Sequence, residues 1–369
     1  MPRARHRRPG AGTPPDSARS GCEQPQVSKT ERVTWVVFLV AAVGALIWKH
    51  GNVFFFSWTD EQIHLYVARR VAEGAVLYRD IDSARPPLVL LPIAWLIRMG
   101  WAPLLAGRVM VVGSQLATAG LLLWGGWRLV SWRAGALAAL LFLTSPEVFD
   151  RVHYTGIQSV ALTAAGCVLF SLRAQPFRSG LFAGLTLVTG QHGIVVCGTI
   201  ALITFVLRPR DSVRFAAGAV LVGVGVFGSV WLMGGQHVWE SLVGHHLYHM
   251  GGSESSRAQF WERFTPWLYE HAYMFVGAGL ALVLLRSSKR KEGEGAAWSS
   301  TPPQVARRLL LVVSAHLVVV LVMNEPIFLY VVLIAPLLAL LAAIGFDATG
   351  RCGAGARGCP RPGLGAPGG

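Results

Sequence analysis

The sequence predicts an all-α integral membrane protein of about ten transmembrane helices, with amphipathic surface helices in the first outer loop. Three observations carry that expectation. Of the 369 residues, 53% are hydrophobic and only 14% are charged, and the mean hydropathy of +0.48 is far above what a water-soluble domain needs. The apolar residues fall in long runs, and a bilayer core about 30 Å thick asks for about 20 helical residues per crossing. The formal charge of +14 would suggest nucleic acid in a soluble protein, but here the basic residues flank the apolar runs. The expected partner is the membrane, and no nucleic-acid partner is expected.

In order along the chain, residues 1–32 are polar and rich in arginine, with too few apolar residues to fold alone, and read as a disordered basic cytoplasmic arm. The membrane domain follows over 33–346. Its first run, 33–48, competes with a signal peptide, but the long basic lead and the many later spans favour a retained helix. The other expected crossings are 104–127, 134–145, 156–172, 179–188, 193–207, 215–233, 268–285, 309–323 and 327–346. The run 88–97 is only ten residues and follows Pro86 and Pro87, so it reads as a helix lying on the membrane surface. Residues 347–369, with eight glycines and three prolines, read as a disordered tail.

Charge sets the expected orientation. With both termini cytoplasmic, the inner side holds 23 basic and 7 acidic residues and the outer side 10 and 12, a net +16 against −2. Making 88–97 a crossing would invert every later loop and move Lys289, Arg290 and Lys291 outside. The expected location is therefore the cell (inner) membrane, multi-pass, with any active site on the outer face. The outer side receives the loops 49–103, 146–155 and 234–267, a turn around Gln191 and His192, and the turn 324–326. The crossings 134–145 and 179–188 are short, and short or broken helices commonly border a cavity within the membrane.

The chemistry-bearing residues cluster in the first outer loop. Thr59 with Gln62 forms a capping box, which predicts a helix from Asp60 to near Gly74 with Ile63, Tyr66, Val67, Ala68 and Val71 on its apolar face. Asp60 and Glu61 would occupy the first turn, where the helix dipole favours carboxylates, either as dipole compensation alone or as base and orienter. The loop then returns through Tyr78, Asp80, Asp82 and Arg85 to the rigid Pro86-Pro87 pair. A guanidinium at that depth can bind phosphate in a bidentate, charge-assisted pair, or simply snorkel to the headgroups.

An apolar helix followed by Asp60-Glu61, Tyr66, Ala68, Gly74, Tyr78, Asp80, Arg85 and Pro86-Pro87-Leu88 resembles the membrane-embedded glycosyltransferases of the GT-C fold. The chain is most similar to their bacterial branch, that of the protein O-mannosyltransferases and the lipid A aminoarabinose transferase. Arg108, Ser145-Pro146, the Gly190-Gln191-His192-Gly193 turn, Tyr330 and Pro336 agree with it, and the resemblance covers about 33–346. It implies transfer of a hexosyl or pentosyl group from a polyprenyl-phosphate sugar donor to a lipid, glycan or protein acceptor on the outer face, with Asp60 as base and inversion at the anomeric carbon. It also implies Arg85 as the group meeting the carrier phosphate, with Glu61 completing the acidic pair. A second acidic site would fall after the third crossing, on Asp150 or else Glu147, although related members carry an acid near the position of Gln158. Asp82, Arg151, His153, Gln191 and His192 complete the expected substrate-binding set.

No cofactor is required by such a displacement. A divalent metal is the alternative raised by His245, His246 and His249 in the second long outer loop, against simple interfacial polar packing. The tryptophans of that loop, Trp239, Trp261 and Trp267, are expected to form an interfacial belt. The five cysteines sit in spans or tails and imply no disulfide framework. Many family members continue into further helices or an outer-face domain where this chain has its tail, so acceptor recognition is left unexplained. The competing functions are a polytopic lipid or solute transporter or flippase, and an inactive GT-C homologue; against the transporter, the spans are nearly free of acidic residues and no inverted repeat is evident.

Overall fold

The computed structural model describes residues 28–52, 59–149, 154–244, 257–288, 302–323 and 327–358. Among them there is no β-strand, only an isolated bridge between Leu77 and Ile81, so the fold is all-α as expected. The helices are α1 (Lys29–Asn52), α2 (Thr59–Ala72), α3 (Pro87–Arg98), α4 (Pro103–Leu129), α5 (Trp132–Leu143), the single turn α6 (Pro146–Phe149), α7 (Ile157–Leu172), α8 (Pro176–Thr189), α9 (Ile194–Leu207) and α10 (Pro209–Gly234). They continue with the turn α11 (His237–Trp239), α12 (Arg257–Glu270), α13 (Ala272–Ser288), α14 (Pro302–Met323) and α15 (Ile327–Gly358).

Each of the ten expected spans coincides with a helix, but among the described residues only five helices are long and apolar enough to cross a membrane: those containing Lys29–Lys49, Pro103–Leu129, Pro209–Gly234, Pro302–Leu321 and Val332–Thr349. At 1.5 Å per residue the 12 residues of α5 reach about 18 Å, short of the hydrocarbon thickness. The count of ten crossings is therefore not established by helix length. The surface helix expected over 88–97 is α3, also 12 residues, with Val89, Leu90, Ile93 and Ala94 buried. Two boundaries move: α1 begins at Lys29, inside the expected arm, and α15 continues past Phe346 to Gly358. The continuation is anchored by Asp347, whose carboxylate accepts a 2.9 Å hydrogen bond from Ser131, the N-cap of α5.

The helix α15 is the centre of the bundle. Its Val332–Thr349 window is 83% buried, against 6% for α1, because α5, α7, α13 and α14 pack around it. An all-apolar helix with neighbours on every side has no polar face to present, which explains why the sequence there shows no amphipathic period. Elsewhere the helices approach through small residues, as bilayer packing demands. Where α8 crosses α10, a Cβ on Gly180 would lie 1.9 Å from the Phe215 carbonyl oxygen and one on Gly218 2.3 Å from that of Phe177. The two glycines set that interhelical distance.

A second, smaller apolar cluster joins α2 and α3 to the top of α4 through Leu65, Ala68, Val89, Leu90, Ile93, Ala106 and Val111. This cluster docks the first loop onto the bundle and fixes which way α2 faces.

Candidate active site

Helix α2 buries its apolar face only in part: Val67 and Ala68 are buried, together with Glu61, His64 and Leu65, whereas Ile63 and Tyr66 are 56% and 60% exposed. The reason is a polar anchor. Glu61, fully enclosed, accepts a 3.0 Å bond from Arg108 Nη2 in α4 and a 2.9 Å bond from the backbone N–H of Tyr154. An ion pair this deeply enclosed holds only with good geometry and further hydrogen bonds, and both carboxylate oxygens of Glu61 have a partner. The anchor ties α2, α4 and the segment after α6 together, and it turns α2 so that Asp60, one position earlier and about 100° around the helix, is exposed. The acidic pair expected at 60 and 61 is thus split: Glu61 does not stand beside the Asp60 carboxylate.

The return loop is built around Tyr78. Its φ of +71° is unusual for a residue with a side chain. It is held by a 2.9 Å bond from Tyr78 N–H to the Ile81 carbonyl, while the phenol donates at 2.7 Å to the carbonyl of Arg85. Burial pushes the Tyr78 phenol above its ordinary pKa, so it stays a donor. Asp80 accepts from the Val76 N–H and from Arg79, which holds its carboxyl down at about 2, an internal brace for the loop. Asp82 accepts from Ser241 and links the first loop to the stretch after α11.

Arg85 is thereby fixed, half-buried, at the mouth of a cleft. The cleft lies between Arg85, Pro86, Val89, the 155–157 entry to α7, and Thr189, Gly190, Gln191 and His192 at the end of α8. Short α8 does border a cavity, and three expected site residues, Arg85, Gln191 and His192, share its walls. Gly156 enters α7 with φ +79° against Val89, where a Cβ would lie 2.8 Å from that side chain, so backbone and apolar floor meet closely there. Burial lowers the Arg85 pKa from its ordinary value, and the Asp60 carboxylate acts in the opposite direction, so the two groups face each other electrostatically.

Two members of this constellation are not obvious in the sequence. His64 is 3% exposed; its Nδ1 bonds the Asp60 carbonyl, and its Nε2 is buried with no partner among the described residues. Burial, and next the nearby Arg85 charge, push the imidazole down to about 4 against the pull of Asp60. Tyr154, fully buried, meets His64 edge to face and donates its hydroxyl to the Val89 carbonyl. The only available signal was the spacing of His64 four residues after Asp60 on a helix, which places both on one side.

Asp150, Arg151 and His153 lie outside the described residues, and so do His245, His246 and His249. Among the described residues no group of three or more histidines, cysteines and carboxylates could hold a metal ion. Of the tryptophans expected in the belt, Trp239 and Trp261 are exposed, whereas Trp267 is 4% exposed, packed on Phe264 and stacked on His271.

No family model and no curated protein matches the sequence. Solved structures do match. The ArnT structure from Cupriavidus metallidurans bound to undecaprenyl phosphate superposes with a TM-score of 0.68 at 17% identity, over 87% of this chain. Its apo state gives 0.66 at 16% over 88%, and the apo oligosaccharyltransferase of Archaeoglobus fulgidus gives 0.61 at 11% over 90%. The chain has the GT-C fold. It spans 61% and 62% of the length of the two ArnT chains and 53% of the oligosaccharyltransferase. Within this GT-C fold, Arg85 and the Gly190-Gln191-His192 turn line one cleft at one end of the helix pair α7 and α8, and the Asp60 carboxylate lies near enough to act on the Arg85 charge.

Proposed function

We propose that the protein is a glycosyltransferase that moves a sugar from a polyprenyl-phosphate carrier to an acceptor on the outer face of the membrane, with inversion. The observation that carries the reading is the pairing of an exposed Asp60 carboxylate with a half-buried Arg85 at a cleft mouth. A polyprenyl phosphate leaves readily once its charge is met. Arg85 would bind the phosphate bidentately and stabilise it as the anomeric C–O bond breaks. Asp60 would take the proton of the acceptor hydroxyl as its oxygen bonds to the opposite face of that carbon. One base suffices, so no covalent enzyme intermediate is needed.

In this reading Glu61 is a positioning residue that holds α2 at the angle from which Asp60 faces the cleft, and Gln191 and His192 supply polar contacts to the sugar. Asp82 braces the loop through Ser241. Asp150 is the candidate second acid, with Arg151 and His153 beside it in sequence. No step here uses a metal. The likeness of ArnT bound to undecaprenyl phosphate supports a lipid-linked donor.

The test is purified protein assayed with polyprenyl-phosphate sugars for carrier-dependent transfer. General-base assistance is worth about 10² to 10⁴ in rate. Asp60→Asn should lose at least about a hundredfold in turnover while retaining the donor lipid. Near-normal transfer by folded Asp60→Asn would remove the base assignment, and no transfer by the parent protein would favour a transporter or an inactive homologue.

A further inference from the structure

The far end of α10 grips the loop that carries Arg85. Gly234, the last residue of that helix, comes so close that a Cβ on it would lie 3.2 Å from the Leu77 carbonyl oxygen and 3.7 Å from the Tyr78 Cβ. The chain reverses at Gly235, whose φ of +59° suits glycine, and returns through α11 to a π turn, Glu240–Gly244. On the way Val238, 4% exposed, packs into the apolar cluster that holds Leu77 and Tyr78. Ser241, buried in the π turn, donates its hydroxyl to the Asp82 carboxylate. The corner 234–241 thus holds the loop at two points, Leu77 with Tyr78 and Asp82.

Arg85 lies between this grip and a rigid segment. Downstream, Pro86 and Pro87 have fixed φ angles and start α3. Upstream, only Ser83 and Ala84 separate Arg85 from Asp82. Tyr78 closes the frame, because its phenol, at 2.7 Å from the Arg85 carbonyl oxygen, ties the Arg85 backbone to the residue that Gly234 touches. A bidentate guanidinium–phosphate pair demands placement to about 0.5 Å and roughly 10–20°. A side chain as long as arginine meets that demand only from a fixed backbone. Neither Tyr78 nor Ser241 is among the residues that line the Arg85 cleft, so any effect of theirs on a ligand there passes through the loop.

We propose that Ser241 and Tyr78 are positioning residues for carrier recognition: Ser241 through Asp82, and Tyr78 through the Arg85 carbonyl, hold the guanidinium fork where it meets the carrier phosphate. The inference rests on the reading of Arg85 as the phosphate-binding group. It adds that the α10 corner, about 150 residues further along the chain, sets the affinity of a site to which it gives no ligand atom.

The experiment measures the dissociation constant of undecaprenyl phosphate for the full chain in neutral detergent, with folding checked by circular dichroism. Arg85→Ala should weaken binding tenfold or more. Ser241→Ala and Tyr78→Phe should each weaken it about fivefold, the worth of one hydrogen bond, and Ser241→Thr, which keeps the hydroxyl, should recover most of the loss. Ser229→Ala, which removes a hydroxyl bonded to the Gly225 carbonyl within α10 itself, should change nothing. The deciding measurement is the double variant. In an Arg85→Ala background, Ser241→Ala and Tyr78→Phe should cost nothing further, because they act only through Arg85. Parental affinity in both single variants beside a weakened Arg85→Ala would overturn the positioning role and leave the phosphate reading standing. Losses that persist in full in the Arg85→Ala background would mean general damage to the loop and would also overturn it. Parental affinity in Arg85→Ala would remove the phosphate reading itself, and this inference with it.

Discussion

Replacing Glu61 by glutamine tests whether the first loop is held by its buried ion pair. Glu61 is 0% and Arg108 2% exposed, so the pair lies out of reach of solvent screening. Glu61→Gln keeps the volume but removes the charge that balances Arg108. It also replaces one of two acceptor oxygens with an N–H₂ that faces a donor, either Arg108 Nη2 or the Tyr154 N–H. Breaking a buried pair from one side costs about 3 to 5 kcal/mol, because the remaining charge is uncompensated. A neutral partner should relieve most of this, so the double variant with Arg108→Gln should show a coupling of about 2 kcal/mol. Urea unfolding in detergent, followed by tryptophan fluorescence at pH 7, gives both numbers. By contrast Asp60→Asn, on the exposed side of the same helix, should stay within about 0.5 kcal/mol of the parent. A single Glu61→Gln cost below about 1 kcal/mol, or a double variant as damaged as the two singles added, would refute the anchoring role.

Three further outcomes are expected. Arg85→Ala should raise the donor concentration needed for half-maximal transfer by tenfold or more, and Arg85→Lys by less; identical donor dependence in both and in the parent would assign Arg85 to headgroup snorkelling. His64 is neutral in the folded protein down to about pH 4, whereas its ordinary value is 6.5. Between those values the unfolded chain binds a proton that the folded chain does not, so stability should fall by about 3 kcal/mol from pH 7 to pH 4. His64→Gln should flatten that slope, and parallel unfolding curves across the range would show that His64 is not responsible. Cysteines placed at Ser83 and Ser253 should react with an impermeant reagent from outside and one at Ser288 should not; the reverse pattern would put the Asp60 cleft on the cytoplasmic face.

The all-α membrane class and the positions of all ten apolar helices were legible in the sequence, because helix length and hydropathy are properties of a single segment read against a solvent of known thickness. The same holds for the α2 start near Thr59 and for a short apolar helix, α3, directly after Pro86-Pro87. The candidate Arg85 and the Gln191-His192 turn were legible as residue types. That they share one cleft was not, since it depends on α3 packing directly against α8, far along the chain. Ile63 and Tyr66 mark where local reasoning fell short: apolar periodicity put them on the buried face with Val67 and Ala68, but the enclosed Glu61–Arg108 pair, 47 residues apart in sequence, shifts the buried arc of α2 and leaves them exposed.

What the sequence determined by itself, then, is the solvent, the helix inventory and the charge asymmetry, each of them local and additive along the chain. Tertiary structure alone decided that α15 is the buried centre and that Asp60 and Glu61 part to opposite environments. Those outcomes depend on which distant segment supplies a counter-charge or a close glycine contact. Such pairings are chosen by the free energy of the whole packed arrangement, and no window of the sequence contains both partners.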